Sequence, residues 1–286
     1  MPVRLIAFDL DGTLLGADNR LSAYTVSVLE KAKGVDDLIL MAASGRSRWA
    51  AELVLERTSA IDYMICSNGA VLVNRSNRKI IRRRTITPQR VSGLYSRVNE
   101  SVKDTCWAWE TESGIVPDER FRDLNERTGA QLDELVASPK LELPGDESSP
   151  IEERLAGFGR IVRGLLAHPE LTPEEIVLRL KGRVPARLSS SSAIFLEVTA
   201  PEVHKGAMLR TFCAREGIAS HEVVAFGDHL NDLTMLRWAG RGIAMKGAYK
   251  GLDRFADRTT ATNADDGVAL MIEELIADRA RAPALV

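Results

Sequence analysis

Two carboxylates stand directly after a short apolar run near the start of the chain. Asp9 and Asp11 follow the run 3–8, whose length and composition predict a strand buried on both faces of a parallel sheet. Such sheets bind ligands at the carboxyl ends of their strands. Residues two apart point the same way in an extended chain, and Gly12 allows a sharp turn just after them. One carboxylate could therefore attack a substrate while the other moves protons.

Three further groups of polar residues adjoin elements of the same predicted sheet. Ser44 and Gly45 end a second strand and offer a hydroxyl and an exposed amide to an anion. Lys205 begins a helix, where a cation opposes the helix dipole unless an anion compensates it. The third group supplies hard oxygen ligands that suit Mg²⁺, and its members are Asp228, Asn231 and Asp232. Each group alone also fits a helix cap or a surface position, but four groups on one sheet edge indicate a single site.

The elements that must position these residues alternate between strands and helices in the first and last parts of the chain. This alternation predicts an α/β fold with a Rossmann-like, doubly wound parallel sheet as its core. The predicted strands are 3–8, 38–42, 61–66, 223–226 and 242–245, and the predicted helices are 22–33, 47–58, 205–216, 231–238 and 265–277.

The middle of the chain has a different pattern of mixed helices and strands. We predict an inserted α+β cap domain at 83–199, with the catalytic core formed by 1–82 and 200–286. Thr87-Pro88 and Thr172-Pro173 are helix starts, in which a capping residue precedes proline. We predict strands at 108–111 and 193–199 and a loop at 144–150. Trp107 and Trp109 share one face of a strand, either as a stacking platform for a sugar or base or as cap core.

Composition narrows the possible partners. The 286 residues carry a formal net charge of -2, which gives no basic bias toward nucleic acid or an anionic membrane, so we expect a small-molecule partner.

The expected location is the cytoplasm. The sequence shows no signal-peptide pattern, and it has no apolar stretch near the roughly 18 residues of a membrane-spanning helix. The three cysteines are too few and too scattered for a disulfide framework or a cysteine metal site. The oligomeric state is not determined by these features.

The combination of motifs resembles the haloacid dehalogenase-like hydrolases, and within them the Cof-type phosphatases with a large α/β cap. Residues 9–14, DLDGTL, match the first motif of that family, Ser44 the second, Lys205 the third and residues 227–232, GDHLND, the fourth. Residues 67–70, SNGA, also resemble a turn common in this branch. The resemblance covers nearly the whole chain, and the combination is far more specific than any one motif.

This resemblance implies a two-step phosphoryl transfer on small phosphorylated metabolites, with sugar phosphates as the leading class. Asp9 would form an aspartyl-phosphate, and Asp11 would protonate the leaving oxygen and then activate water. It implies Mg²⁺ as cofactor, held by the Asp9 carboxylate, the Asp11 backbone carbonyl and Asp228, with Asp232 in support. It also implies phosphate contacts, which fall on Leu10, Ser44, Gly45, Lys205 and Asn231.

Departures from the family pattern leave some features open. Residues 201–204, PEVH, replace a glycine-containing approach to Lys205, and 246–248, KGA, stand where relatives carry GNA. Two other functions also remain open on the same scaffold. A phosphomutase would pass the phosphate to a sugar hydroxyl, and a binding module would use the cap as an interaction surface without any reaction.

Overall fold

The predicted core sheet is present in the computed structural model of the chain, which describes residues 3–128, 137–139, 141–145, 149–190 and 194–281. Within these residues the sheet has eight strands in the order β13-β12-β11-β1-β2-β3-β4-β5. Their bounds are β1 Leu5–Phe8, β2 Ile39–Ala43, β3 Tyr63–Cys66, β4 Val71–Asn74, β5 Lys79–Arg83, β11 Val223–Gly227, β12 Arg241–Met245 and β13 Arg258–Thr260.

Strand β1 lies in the middle of this sheet because all of its residues are apolar. Leu5 to Phe8 are fully buried, and they pair in parallel with β2 on one side and β11 on the other. In the register of these pairs, Phe8 lies opposite Ala42 and Phe226. The residues that follow Phe8, Ala43 and Gly227 therefore emerge at one edge of the sheet, as ligand-binding parallel sheets require.

Helices pack on this sheet, and their starts carry clear sequence signals. The helices are α1 Ala23–Lys33, α2 Arg48–Val54, α7 Lys205–Glu216, α8 Leu233–Leu236 and α9 Gly267–Arg281. Ser22 and Ser47 cap α1 and α2 by accepting hydrogen bonds from backbone amides three residues on. Met208, Leu209 and Phe212 of α7 share one buried hydrophobic cluster with Leu5 and Ala7 of β1. The α/β class with a doubly wound parallel core is therefore confirmed.

The chain separates into two compact units, 1–82 with 204–286 and 83–203. The second unit holds a five-stranded antiparallel sheet in the order β7-β6-β8-β10-β9 within the described residues, which makes the unit α+β. Its strands are β6 Cys106–Thr111, β7 Ile115–Pro117, β8 Ile161–Ala167, β9 Arg187–Ser189 and β10 Phe195–Thr199, and its helices are α3 Pro88–Ser101, α4 Glu119–Thr128, α5 Ile151–Ala156 and α6 Pro173–Leu180. We call it the cap unit; its role as a cap remains a prediction.

The two tryptophans of the cap unit belong to its core. Trp107 and Trp109 have no exposed surface, and their rings stack on each other with centroids 4.7 Å apart and planes 3° from parallel. Gly164 lies opposite Trp109 in the neighbouring strand β8 and leaves the space that both rings fill. The stacking-platform interpretation is therefore wrong, because neither ring can reach a ligand.

The opposite face of the same sheet buries a charged cluster. The guanidinium of Arg163 lies 2.6 Å from Glu110 Oε2 and 3.0 Å from Glu197 Oε1, and these three side chains are at most 2% exposed. Buried charges are tolerated when they are paired in this way, because separate desolvation of each would cost several kcal/mol. The cluster joins the three central strands β6, β8 and β10 of the cap sheet.

Several elements were not predicted from the sequence. They are the core strands β4, β5 and β13 and the cap elements β7, β8, β9, α4 and α5, most of which are short. The predicted helix 231–238 is only Leu233–Leu236, and the last helix extends to Arg281, where Arg279 donates hydrogen bonds to the carbonyls of Val3 and Asp36. Residue 193 of a predicted strand and 146–148 of a predicted loop lie outside the described residues.

Two further expectations concern the whole chain. The three cysteines are buried free thiols. Among the described residues, no helix combines the length and the apolar character needed to cross a membrane.

The tight fit of Gly164 gives a stability prediction for the cap unit. A Cβ at this position would lie 2.8 Å from Trp107 Cζ3 and 2.9 Å from Trp109 Cζ3, so Gly164→Ala should cost about 1–3 kcal/mol of unfolding free energy. Gly93→Ala is the matched control, because Gly93 lies in α3 with no atom within 4 Å of the new Cβ. That control should gain up to about 1 kcal/mol from helix propensity. Urea unfolding followed by tryptophan fluorescence measures both, and equal effects would contradict the packing argument.

Candidate active site

A buried ammonium joins two carboxylates at the carboxyl edge of the core sheet. Asp9 follows β1 directly, and Lys205 is the first residue of α7. The Lys205 Nζ lies 2.8 Å from Asp9 Oδ1 and 2.6 Å from Asp232 Oδ1. Lys205 and Asp232 are fully buried and Asp9 is 4% exposed. The unfavourable position of a lysine at a helix start is thus compensated by two carboxylates.

Asp228 completes a group of three carboxylates. One ligand oxygen from each of Asp9, Asp228 and Asp232 lies within 4.8 Å of the others. Asp232 Oδ2 accepts hydrogen bonds from the backbone amides of Asp228 and His229, while its Oδ1 contacts Lys205. Both oxygens of Asp232 are therefore engaged within the protein, whereas Asp9 and Asp228 remain better placed to bind a ligand.

Two glycines allow these carboxylates to approach each other. Gly12 has φ +73°, and a Cβ there would lie 2.3 Å from Asp228 Oδ2. A Cβ on Gly227 would lie 2.4 Å from the Cβ of Asp232. Any larger residue at either position would push a carboxylate out of the group, and at Gly12 it would also be strained by the positive φ.

The electrostatics show an excess of negative charge. Burial, together with the Asp232 carboxylate, holds the pKa of Asp9 well above its usual value, although Lys205 opposes the shift. Burial and Asp232 likewise raise the pKa of Asp228 to about 6, against a lowering hydrogen bond from Thr13. Burial alone would lower the pKa of Lys205, but Asp232 and Asp9 reverse this and raise it. One ammonium does not balance three carboxylates.

This donor set fits a divalent cation. Carboxylate oxygens are the ligands that Mg²⁺ prefers, and a group of carboxylates with raised pKa values gains from a second positive charge. The residues that could hold the ion through side chains are Asp9 and Asp228, with Asp232 close by. The contribution of the Asp11 backbone carbonyl stays a prediction.

Asp11 lies outside this carboxylate group and pairs with an arginine. Arg46 Nη2 donates to Asp11 Oδ1 at 2.7 Å and Arg46 Nε donates to Asp11 Oδ2 at 2.9 Å. Arg46 is 8% exposed, while the Asp11 side chain is 42% exposed. The pair fixes the carboxylate of Asp11 at the site while leaving it accessible. The sequence analysis gave Arg46 no role, although its place directly after Ser44 and Gly45 is a usable signal.

The predicted phosphate contacts lie around the same edge. Ser44 is buried, and its Oγ accepts a hydrogen bond from the Arg46 amide at 3.0 Å. Gly45 is buried beside it, and Leu10 begins the turn Leu10–Leu14 after Asp9. Asn231 Nδ2 donates to Asn68 Oδ1 at 3.0 Å, and its Oδ1 is a buried atom that has no partner within the part of the chain described. Their roles toward phosphate stay predictions.

Further contacts support the site and were not assigned from the sequence. Thr13 Oγ1 donates to Asp228 Oδ1 at 3.0 Å. His204 caps α7, because its Nδ1 accepts the Ala207 amide at 3.0 Å, and it thereby holds the start of the helix that carries Lys205. Gly69, in the turn after β3, packs so closely that a Cβ would lie 2.5 Å from the His204 carbonyl oxygen.

The sequence matches the family model of the haloacid dehalogenase-like hydrolases over residues 6–272. Phosphatase YwpJ of Bacillus subtilis is 26% identical over 292 residues, which cover 96% of this chain and all of the relative. The 5-amino-6-(5-phospho-D-ribitylamino)uracil phosphatase YitU of the same organism is 25% identical over 275 residues, 94% of this chain and 96% of the relative. A solved structure of a subclass IIB sugar phosphatase of this superfamily has the same fold, with a TM-score of 0.75, 23% identity and coverage of 95% and 98%.

The matched range contains Asp9, Ser44, Lys205 and Asp228, which follow strands of the core sheet or begin a helix packed on it. The chain therefore belongs to the haloacid dehalogenase-like hydrolases, as its motifs predicted.

Proposed function

We propose that this hydrolase is a Mg²⁺-dependent phosphatase that acts on small phosphorylated metabolites, with sugar phosphates as the leading class. Phosphoric monoester hydrolysis is the activity of the family members it resembles, including phosphatases YwpJ and YitU. The observation that carries the proposal is the contact of Lys205 Nζ with Asp9 and Asp232, beside Asp228. This arrangement supplies a nucleophile and positive charge in a buried place.

Asp9 is the proposed nucleophile of the first step. Its carboxylate attacks phosphorus and the ester oxygen leaves, which gives an aspartyl-phosphate and a free alcohol. Lys205, at 2.8 Å from Asp9 Oδ1, orients the nucleophile and attracts the anionic phosphate. Bound Mg²⁺ would reduce the repulsion between the anionic nucleophile and the anionic phosphate. The residues that would hold it are Asp9, Asp11 through its carbonyl, and Asp228, with Asp232 supporting them.

Proton transfer belongs to Asp11. Its carboxyl group would protonate the leaving oxygen and then, as carboxylate, take a proton from the water that hydrolyses the aspartyl-phosphate. Arg46 positions this group through two hydrogen bonds. Ser44, Gly45, Leu10 and Asn231 would donate to the phosphate oxygens.

The substrate class rests on weaker support. One solved relative with this fold is a sugar phosphatase, and YitU acts on a phosphorylated ribityl compound, so polyhydroxy leaving groups occur among proteins of this architecture. The buried tryptophans of the cap unit do not provide a stacking surface. Selection of the substrate by the cap unit and a cytoplasmic location both remain parts of the proposal.

Asp9→Asn tests the nucleophile directly. The amide cannot form the acyl-phosphate, so kcat for p-nitrophenyl phosphate should fall by at least about 1000-fold. Release of inorganic phosphate measures the rate, and a screen of sugar phosphates with the original protein measures the substrate range. Asp253→Asn, which alters an exposed carboxylate, is the control and should keep full activity. Full activity of Asp9→Asn would end the proposal, and isomerised sugar phosphate without phosphate release would instead show a mutase.

Mg²⁺ should stabilise the protein in a pH-dependent way. Because the folded pKa of Asp228 is raised to about 6, the folded state holds this proton more tightly than the unfolded chain. The metal-free protein therefore loses stability from this group as the pH rises from about 4 through 6. Saturating Mg²⁺ should raise Tm by roughly 5 °C at pH 7.5 and by much less at pH 5, where protons compete with the ion.

Asp228→Asn serves as the matched variant for this measurement. It should raise Tm of the metal-free protein at pH 7.5, since it removes one of three repelling carboxylates, and it should remove most of the response to Mg²⁺. Differential scanning fluorimetry with and without Mg²⁺ provides the data. An unchanged Mg²⁺ response in this variant would place the ion elsewhere.

Arg46→Met tests the positioning of Asp11. We expect kcat for p-nitrophenyl phosphate to fall about 10- to 100-fold with KM within about threefold, because Asp11 would lose its fixed orientation. Arg75→Met is the control: Arg75 pairs with Glu52 at 3.0 Å, and the two side chains are 8% and 36% exposed, against 9% and 42% for Arg46 and Asp11. Arg75 also donates to the carbonyls of Thr58 and Leu55, so this variant should lower Tm and keep kcat. An equal fall in kcat in both variants would show a merely structural role for Arg46.

A further inference from the structure

The backbone amides of Tyr249 and His229 form hydrogen bonds to members of the carboxylate group. The Tyr249 amide donates to the Asp228 carbonyl at 2.7 Å, and the His229 amide donates to Asp232 Oδ2 at 3.1 Å. Both residues are therefore tied directly to members of the carboxylate group. The proposed function leaves their side chains without any role.

We define the rim as His229, Leu230 and Tyr249, which adjoin Asp228 in the sequence or through the backbone hydrogen bond of Tyr249. Leu230 is 47% exposed and Tyr249 is 49% exposed. The His229 ring meets the Tyr249 ring edge-on, with centroids 5.2 Å apart and planes at 74°. This contact restricts the tyrosine ring while half of its surface still faces solvent.

A restricted, half-exposed aromatic ring is suited to contact with another ring. Offset or edge-to-face contacts of aromatic rings contribute beyond the area that they bury, and tyrosine loses little conformational entropy when it binds. Leu230, two residues after Asp228, adds a second exposed side chain close in sequence to the group that would hold the phosphate. An open-chain alcohol would cover little of this surface.

We propose that Tyr249, held by His229 and extended by Leu230, contacts a ring of the leaving group and so favours substrates that carry phosphate on or next to a ring. This inference rests on the proposed phosphatase function and names a specificity residue for it. The shared chemistry is a flat apolar ring face, which either a sugar or an aromatic alcohol could present.

Binding of two phosphonates separates this contact from the phosphate site. Phenylphosphonate and methylphosphonate share the anionic group, but only the first carries a ring. By titration calorimetry with Mg²⁺, the original protein should bind phenylphosphonate about tenfold more tightly, a difference within reach of one aromatic contact and its buried area. Tyr249→Ala should abolish the preference by weakening phenylphosphonate alone, and Tyr249→Phe should keep it.

Phe255→Ala is the matched control, because Phe255 is 47% exposed in the same unit but lies against the guanidinium of Arg237, 5.7 Å away. It should keep the preference. Hydrolysis of glucose 1-phosphate and of p-nitrophenyl phosphate, each compared with glycerol 3-phosphate, then distinguishes a sugar ring from an aromatic ring as the better partner.

The outcomes separate this inference from the proposed function. Two results would overturn the ring contact while leaving the proposed function intact, provided that p-nitrophenyl phosphate is still hydrolysed. One is equal binding of the two phosphonates by the original protein, and the other is an equal loss of affinity for both in Tyr249→Ala. Failure to bind either phosphonate together with failure to hydrolyse p-nitrophenyl phosphate overturns the proposed function as well.

Discussion

The site depends on the burial of one ammonium among three carboxylates. Lys205 has no exposed surface and contacts Asp9 and Asp232 at 2.8 and 2.6 Å, while Asp228 lies in the same group. Desolvation makes each carboxylate costly, and one positive charge cannot compensate all three. Burial first, and the neighbouring Asp232 carboxylate second, raise the pKa values of Asp9 and Asp228. A site with this excess of negative charge is ready to bind a cation.

Such a concentration of charge requires a backbone that brings the carboxylates together. The parallel pairing of β1 with β11 places Asp9 and Asp228 at neighbouring strand ends. Gly12 and Gly227 have no side chain that would keep the acidic groups apart. A Cβ on Gly12 would overlap with Asp228, and a Cβ on Gly227 would overlap with Asp232. The strand pairing thus brings the carboxylates near each other, and the glycines leave room for them to come into close contact.

The cap unit shows how similar residue types can have structural roles. Its buried arginine, Arg163, is paired on both sides by Glu110 and Glu197 within the sheet, and Trp107 and Trp109 fill the space above Gly164. In the core unit, by contrast, Tyr249 and Leu230 are about half exposed beside Asp228. Exposure separates the aromatic residues of the two units: the enclosed tryptophans fill the core of the cap unit, whereas Tyr249 is accessible to a ligand.

Local sequence patterns were enough to predict the α/β class, the strands that end at the site and the family, because apolar runs, glycine turns and paired carboxylates each lie within a short stretch of the chain. Asp9, Ser44, Lys205 and Asp228 could all be named from the positions that they hold after strands or before a helix. Only the tertiary structure showed that Arg46 pairs with Asp11, that Thr13 contacts Asp228 and that His204 caps α7. It also decided that the tryptophans are core and that short strands such as β9 and β13 exist. The physical reason is that burial and long-range pairing depend on residues far apart in the chain, which a local pattern does not contain.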